Sequence, residues 1–249
     1  MRSLDERAVE AKEKKAGLGS DIDLGAYDSK LVVHDYVEEL TGLSEADKKR
    51  MILAGIDAEE KDRSGTYVQK DSAVIHAHSK QEGLEVIPIK EALEKYDWVQ
   101  DYYWKLVSVD TDKYTARAQL ELHDGYVIRA LAGSKVIYPV QACLYLEKEG
   151  LSQNVHNIII AEEGSELHII TGCATAPHLK RGLHVGISEF YVKKDAKLSF
   201  TMIHNWAEEM KVRPRSVGQV EEGGLFLNNY ICMRPVKSLQ MYPLSLIHI

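Results

Sequence analysis

Prolines are scarce, six in 249 residues, and with 45% hydrophobic content the chain can fill the core of one large or two modest domains. Its three cysteines, Cys143, Cys173 and Cys232, are odd in number and far apart. That fits reduced cytosolic thiols better than a disulfide framework. Basic residues are not in excess: the net charge is −7, without the basic stripe that a nucleic-acid surface needs. The N-terminus carries no apolar run of signal-peptide type, and no apolar segment is long enough to span a bilayer. These absences predict a soluble, cytoplasmic protein with no nucleic-acid and no membrane partner. Also missing are Gly-x-x-x-x-Gly-Lys-Ser/Thr, Gly-x-Gly-x-x-Gly, Gly-x-Ser-x-Gly, His-Glu-x-x-His and Cys-x-x-Cys, which leaves nucleotide-binding, serine-hydrolase and zinc-protease readings unsupported.

What the chain does contain is a repeat. Gly133, Gly164, Asp195 and Gly223 each begin a turn followed by a strand, at intervals of 31, 31 and 28 residues. Three residues past each turn stand Val136, Leu167, Leu198 and Phe226; two further on stand Tyr138, Ile169, Phe200 and Asn228. Units that align like residues at a fixed period mark a solenoid, whose coils bury their apolar faces on one another. Between the turns lie alternating runs, with Leu167, Ile169 and Thr171 on one face and Leu198, Phe200 and Met202 repeating it. The fold predicted is mainly β, a right-handed parallel β-helix with a small α-helical N-terminal region. A β-sandwich with regularly spaced turns is the alternative, and the positional match after each turn favours the solenoid.

Three regions follow: 1–105 as a helical and mixed region capping the solenoid, 106–243 as β-helix core, and 244–249 as a non-native tail. Ser3 to Lys15 reads as a helix with a thin stripe of Leu4, Ala8 and Ala11 that docks loosely. Ser44 and Asp47 form a capping box before a second helix, Asp62 to Glu85 reads as short extended segments, and Pro88 opens a third helix. The aromatic cluster Tyr96, Trp98, Tyr102, Tyr103 and Trp104 is expected to cover the first coil, and strands are expected from Ala116 onward. Leu244 to Ile249 break the register of the repeat, and a chain that naturally continues beyond Pro243 is the expectation.

Candidate chemistry centres on Cys173, in the run Gly-Cys-Ala-Thr-Ala-Pro between two strands. Lys180, Arg181 and His184 nearby could supply the positive surroundings that lower a thiol pKa; the plain alternative is a small buried hydrophobe. His204 lies 31 residues on, one period of the repeat, so thiol and imidazole should stack on adjacent coils. His204 and Trp206, two apart, share a face, whereas His184 and Glu189, five apart, point to opposite faces. His76 and His78 also share a strand face and could hold a metal, but no further ligand is convincingly spaced, so exposed polar residues are the favoured reading.

The runs GCATAPHLKRGLHVGISEFYVKKDAKLSFTMIHNW, NIIIAEEGSELHIITG and VRPRSVGQVEEGG, with SGTYVQKD and KYDWVQDYYWK upstream, resemble the SufB/SufD family of iron–sulfur cluster assembly proteins in a compact archaeal form. The resemblance implies a cytoplasmic, non-enzymatic scaffold of the SUF system. On it sulfide from a cysteine desulfurase and iron would form a transient Fe-S cluster with the SufC-like ATPase as partner, paired with a SufB/SufD-type partner or with itself as a homodimer. It also implies a sulfur relay of Cys173, His204 and Trp206, the last two matching the family's Gln-Asn-Trp with histidine for glutamine. An Arg-Ile-Asn triplet of bacterial members is Tyr145, Leu146 and Glu147 here, a departure from the pattern. The family's cluster ligands fall beyond Pro243, so no cofactor-binding or metal residue is expected within this chain. A SufD-like structural partner without cluster chemistry is the alternative, and a β-helix polysaccharide-active enzyme a remote one.

Overall fold

A computed structural model describes residues 2–247. Strands β1 (Gly65–Lys70), β2 (Ala73–Ser79), β3 (Leu84–Pro88), β4 (Tyr126–Ala130), β5 (Val140–Leu146), β6 (Ser152–Ala161), β7 (Glu166–Thr175), β8 (Leu183–Val192), β9 (Lys197–Asn205), β10 (Lys211–Val220), β11 (Leu225–Cys232), β12 (Ser238–Leu239) and β13 (Tyr242–Ile247) build two sheets. One has the order β11-β9-β7-β5-β1-β2, the other β12-β10-β8-β6-β4-β3, with β13 also on β10. Every pairing among β4 to β11 is parallel and joins strands two apart in sequence. The chain therefore winds from one sheet to the other and back, four times. This is the expected β-solenoid, with side chains of both sheets filling the space between them.

The turn repeat is physical. Gly133, Gly164, Asp195 and Gly223 all have positive φ, between 55° and 72°. The N–H of Gly133 donates to Glu163 O, that of Gly164 to Lys194 O and that of Asp195 to Glu222 O, at 2.9, 2.9 and 3.0 Å. Each turn thus hangs on the next coil's turn through its backbone. Leu167, Leu198 and Phe226 are register partners, as are Ile169, Phe200 and Asn228. The fourth alignment needs correction: Lys135 pairs with Glu166, but Val140, not Tyr138, pairs with Ile169. Two extra residues are accommodated between 135 and 140, leaving Tyr138 about half exposed. Pro139, which lacks an N–H for the ladder, sits in that insertion.

The solenoid's first coil is closed by antiparallel strands, β2 against β1 and β3 against β4. The aromatic cluster does not lie there. Tyr102 packs on Tyr191, and Tyr103 and Trp104 on His156, all on the outer face of the second sheet. What holds the segment there is the fully buried Glu189: its carboxylate accepts from the N–H of Trp104 at 2.8 Å and of Val107 at 2.9 Å, and bonds His156 Nε2 at 2.8 Å. Strand is also the wrong expectation for Ala116 to Leu122, whereas the strands expected from Tyr126 onward are present. Asp112 forms a capping box with Thr115 and starts helix α4 (Lys113–Leu120), after α1 (Leu4–Ala11), α2 (Glu45–Ile52) and α3 (Ile89–Lys95). Asp112 also pairs with the buried Arg215 of β10 at 2.8 Å, and so ties α4 to the sheet. Helix α1 is docked, not loose, with Ala8 and Ala11 buried in the cluster that includes α4. Of the expected tail 244–249, residues 244–247 belong to β13 and lie in register with β10, with Leu244 and Leu246 exposed; residues 248 and 249 lie outside the described residues.

Helix α2 and the chain after it cover the outer face of the first sheet, packing Met51, Ala54 and Ile56 over Cys143, Tyr145 and Ala174. Gly172 makes this approach possible, since a Cβ there would lie 2.5 Å from Ala54 O and 2.6 Å from Ile56 Cγ1. We expect Gly172→Ala to lower unfolding free energy by about 1–3 kcal/mol through overpacking. Gly164→Ala meets nothing within 4 Å and should cost about 1–2 kcal/mol from its left-handed backbone alone. Urea unfolding of the two variants measures both.

Candidate functional site

Cys173 is not at a corner. It lies near the end of β7, buried, with its side chain between the two sheets. Its ladder neighbours are Leu144 on β5 and His204 on β9, so the 31-residue interval does stack thiol and imidazole on adjacent coils. His204 in turn pairs with Cys232 on β11. Leu144, Cys173, His204 and Cys232 therefore form one column across four strands, buried as far as His204 and exposed at Cys232. Cys232 escaped the sequence reading. Its signal was the 28-residue interval to His204, which equals the spacing of the last two turns.

A second polar series crosses from the facing sheet. Gln153 on β6 donates from Nε2 to Asp71 O at 2.8 Å, so its Oε1 is left to accept from His184 Nδ1–H at 3.0 Å. The His184 ring packs on Trp206 with centroids 5.1 Å apart, and Trp206 on His204 at 5.8 Å. Gly186 leaves room for His184, because a Cβ there would come within 2.9 Å of Nε2. His204 Nδ1 shares a hydrogen bond with Tyr230 Oη at 3.0 Å. Tyr230, Met202 and Phe200 line a cleft of about 270 Å³ between the sheets, bordered by Ser188, Pro214 and Met241. Gln153, His184, Trp206, His204 and Tyr230 thus connect the deep interior to that cleft.

Two atoms in this series have no partner: His204 Nε2 and Trp206 Nε1, both buried. An unmet buried donor or acceptor costs about 1–3 kcal/mol, and His204 is the ladder neighbour of Cys173, with Trp206 packed on the His204 ring. His184 and Glu189 do face opposite ways, the first inward and the second toward Trp104.

The electrostatics correct one expectation. Lys180 and Arg181 are exposed, and their N–H groups bond Glu149. Burial, and then Cys143, pushes the Cys173 thiol well above its ordinary pKa. Burial lowers His184 to about 3; burial, and then His184, lowers His204 to about 3. At neutral pH the resting site is a buried, uncharged thiol among uncharged imidazoles. Cys143, pushed up to about 12 by burial and then by Asp47, lies on the opposite face of the same sheet.

Because the folded histidines resist protonation that the unfolded chain accepts near pH 6.5, their contribution to stability is complete above that pH and is lost as pH falls toward 3. Asp124, raised to about 6 by burial, acts in the opposite sense. We expect His184→Gln/His204→Gln to remove part of the acid destabilisation between about pH 6.5 and 4, read as the difference in urea midpoint from the parent chain.

No helix among the described residues is long and apolar enough to cross a membrane. Residues 144–233, which hold the whole column from Leu144 to Cys232, match the family model described as SUF system FeS cluster assembly, SufBD core domain. An iron-sulfur cluster assembly SufBD family protein of Methanothermobacter thermautotrophicus strain Delta H is 44% identical over 248 residues, 98% of this chain and 60% of that protein. One from Archaeoglobus fulgidus is 54% identical over 197 residues, 79% of this chain and 53% of that protein. One from Pyrococcus horikoshii is 32% identical over 213 residues, covering 83% and 48%. The chain thus spans about half to 60% of the length of these curated relatives. With a SufBD core domain around the buried Cys173 and archaeal relatives of this closeness, the chain belongs to the SufBD family of iron–sulfur cluster assembly proteins.

Proposed function

We propose that this protein is a non-enzymatic scaffold component of the SUF system, acting in the cytoplasm, with Cys173 as its sulfur acceptor. The observation that supports this most is the unpartnered His204 Nε2 on the rung next to the buried thiol, with Trp206, whose Nε1 is also unpartnered, packed on that imidazole. The sulfur donor is a cysteine desulfurase persulfide. Its terminal sulfur forms a bond to Cys173 Sγ as the donor's S–S bond breaks; the donor leaves as a thiolate and Cys173 becomes a persulfide. Cys173 must lose its proton first, since the thiolate is the nucleophile. His204 on the adjacent rung, with an unpartnered nitrogen, stands in place to take part. Iron and this sulfur would then be joined as a transient cluster, the product rather than a resident group. Its ligands belong to the part of the longer relatives' fold that this chain does not span. A SufC-like ATPase, and a SufB/SufD-type partner or a second copy, complete the proposed assembly.

A second reading, a SufD-like structural partner without cluster chemistry, draws support from the uncharged, fully buried state of Cys173. Sulfur loading separates the two. After incubation with a cysteine desulfurase and cysteine, mass spectrometry of the scaffold should find one added sulfur atom on Cys173. In Cys173→Ser that label should be absent and, in the full-length protein that carries the cluster ligands, cluster formation should fall by at least about tenfold, with the melting temperature unchanged within a few degrees. Unlabelled Cys173, or full cluster yield from the serine variant, would leave the structural reading.

A further inference from the structure

At the far end of the solenoid from the cleft, the edge strand β2 presents His76 and His78 to the same side, and the loop before β1 adds Glu60. One carboxylate oxygen, Glu60 Oε1, lies 3.5 Å from His76 Nε2 and 3.5 Å from His78 Nε2. All three donor atoms fall within 4.8 Å of one another. Neither Glu60 Oε1 nor the buried His76 Nε2 has a hydrogen-bond partner. His76 is only 1% exposed, so its unmet nitrogen has no water to turn to.

The spacing decides between two explanations. A hydrogen-bonded imidazole–carboxylate pair closes to about 2.7–3.2 Å. Ligand atoms at about 2.0–2.1 Å from a tetrahedral zinc ion stand roughly 3.3–3.4 Å from each other. The separation here is the second kind. His76 is also held as ligating histidines are: its Nδ1 lies 2.9 Å from the carbonyl oxygen of Val37, a bond in which Nδ1 carries the proton and Nε2 keeps a free lone pair toward Glu60. Tyr36 stacks over the ring, and His76 and His78 meet edge to face with centroids 4.7 Å apart. The other oxygen, Glu60 Oε2, is turned to Lys80 Nζ at 3.6 Å, which leaves Oε1 to the two imidazoles. Glu60 itself takes a left-handed backbone, φ 53°, unusual for its residue type, in presenting this carboxylate.

A nearby cluster shows what a satisfied network looks like. His34 Nε2 bonds Asp71 Oδ2 at 2.8 Å, Asp71 Oδ1 accepts from the N–H of Glu147 and Lys148, and Glu147 pairs with Lys70. Those groups are consumed by one another. The Glu60, His76 and His78 donors are not.

We propose that Glu60, His76 and His78 form a binding site for a late first-row divalent cation, zinc above all. Two imidazole nitrogens and one carboxylate oxygen make three ligands; His78, 34% exposed, stands on the solvent side, where water takes the fourth position. The ion fastens the loop carrying Glu60 to the edge strand that closes the first coil. The site is independent of Cys173 and of the sulfur-acceptor reading.

The test uses the whole chain, stripped with a chelator and titrated with Co²⁺ and then Zn²⁺. Expected are one equivalent of Co²⁺ per chain, visible absorption of tetrahedral intensity without the ultraviolet thiolate charge-transfer band, and displacement by Zn²⁺ with a rise in melting temperature. Glu60→Gln and His78→Gln should each weaken Zn²⁺ binding by at least about tenfold. Because His76 is buried and its loss would disturb folding, the half-exposed His78 carries the decisive variant, checked by an unchanged metal-free melting temperature. Absence of saturable binding overturns the proposal. So does a thiolate band, which places the ion on cysteine, or affinity that both variants leave intact.

Discussion

The structure depends on register between parallel coils. Each N–H and C=O of one winding is spent on the next, so a residue and the one an interval of 31 or 28 later occupy the same place in successive layers. Stacked turns enforce this. Gly133, Gly164, Asp195 and Gly223 share one left-handed conformation and bond turn to turn, which sets the coil length before any side chain is considered. Once coil length is set, like must lie over like. Leu167, Leu198 and Phe226 satisfy that demand, and a column that mixes thiol and imidazole departs from it.

Buried polar groups serve in more than one way. On the outer faces they act as anchors, although His156 Nδ1 and Arg213 Nε are themselves unpartnered: Glu189 gathers backbone N–H groups and His156, and Arg215 meets Asp112 and Gln240. These hold helix α4 and the aromatic segment against the sheet, and satisfaction makes a buried charge tolerable. Between the sheets, and again at the edge strand, the groups are left incomplete: His204 Nε2, Trp206 Nε1, His76 Nε2 and Glu60 Oε1. An incomplete buried group is costly, and chemistry or a ligand is the common reason a protein keeps one.

The uncharged state of the inner site follows from the same architecture. A thiol enclosed by two sheets has no counter-ion: the basic residues that follow it in the chain, Lys180 and Arg181, lie outside with Glu149. Burial therefore governs both the thiol and the imidazoles, and moves each toward its neutral form. Low reactivity at rest is compatible with the proposed role of Cys173 as a sulfur acceptor.

Turn positions, strand alternation and the stacking of Cys173 on His204 were legible in the sequence, because local backbone preference and a fixed period determine them without knowledge of distant contacts. The same period held the signal for Cys232. The two-residue insertion before Val140, the capping of α4 by Asp112 and the outward placement of Tyr102, Tyr103 and Trp104 were not legible, since each is settled by partners far along the chain, Ile169, Arg215 and Glu189 among them. Glu60 beside His76 and His78 is the extreme case: no spacing rule joins a loop to a strand, and only the antiparallel return of β2 on β1 brings them together. The sequence by itself determined the winding and which residues share a column. Tertiary packing alone decided protonation, access and the meeting of groups from different layers, because burial and through-space distance are properties of the assembled coils.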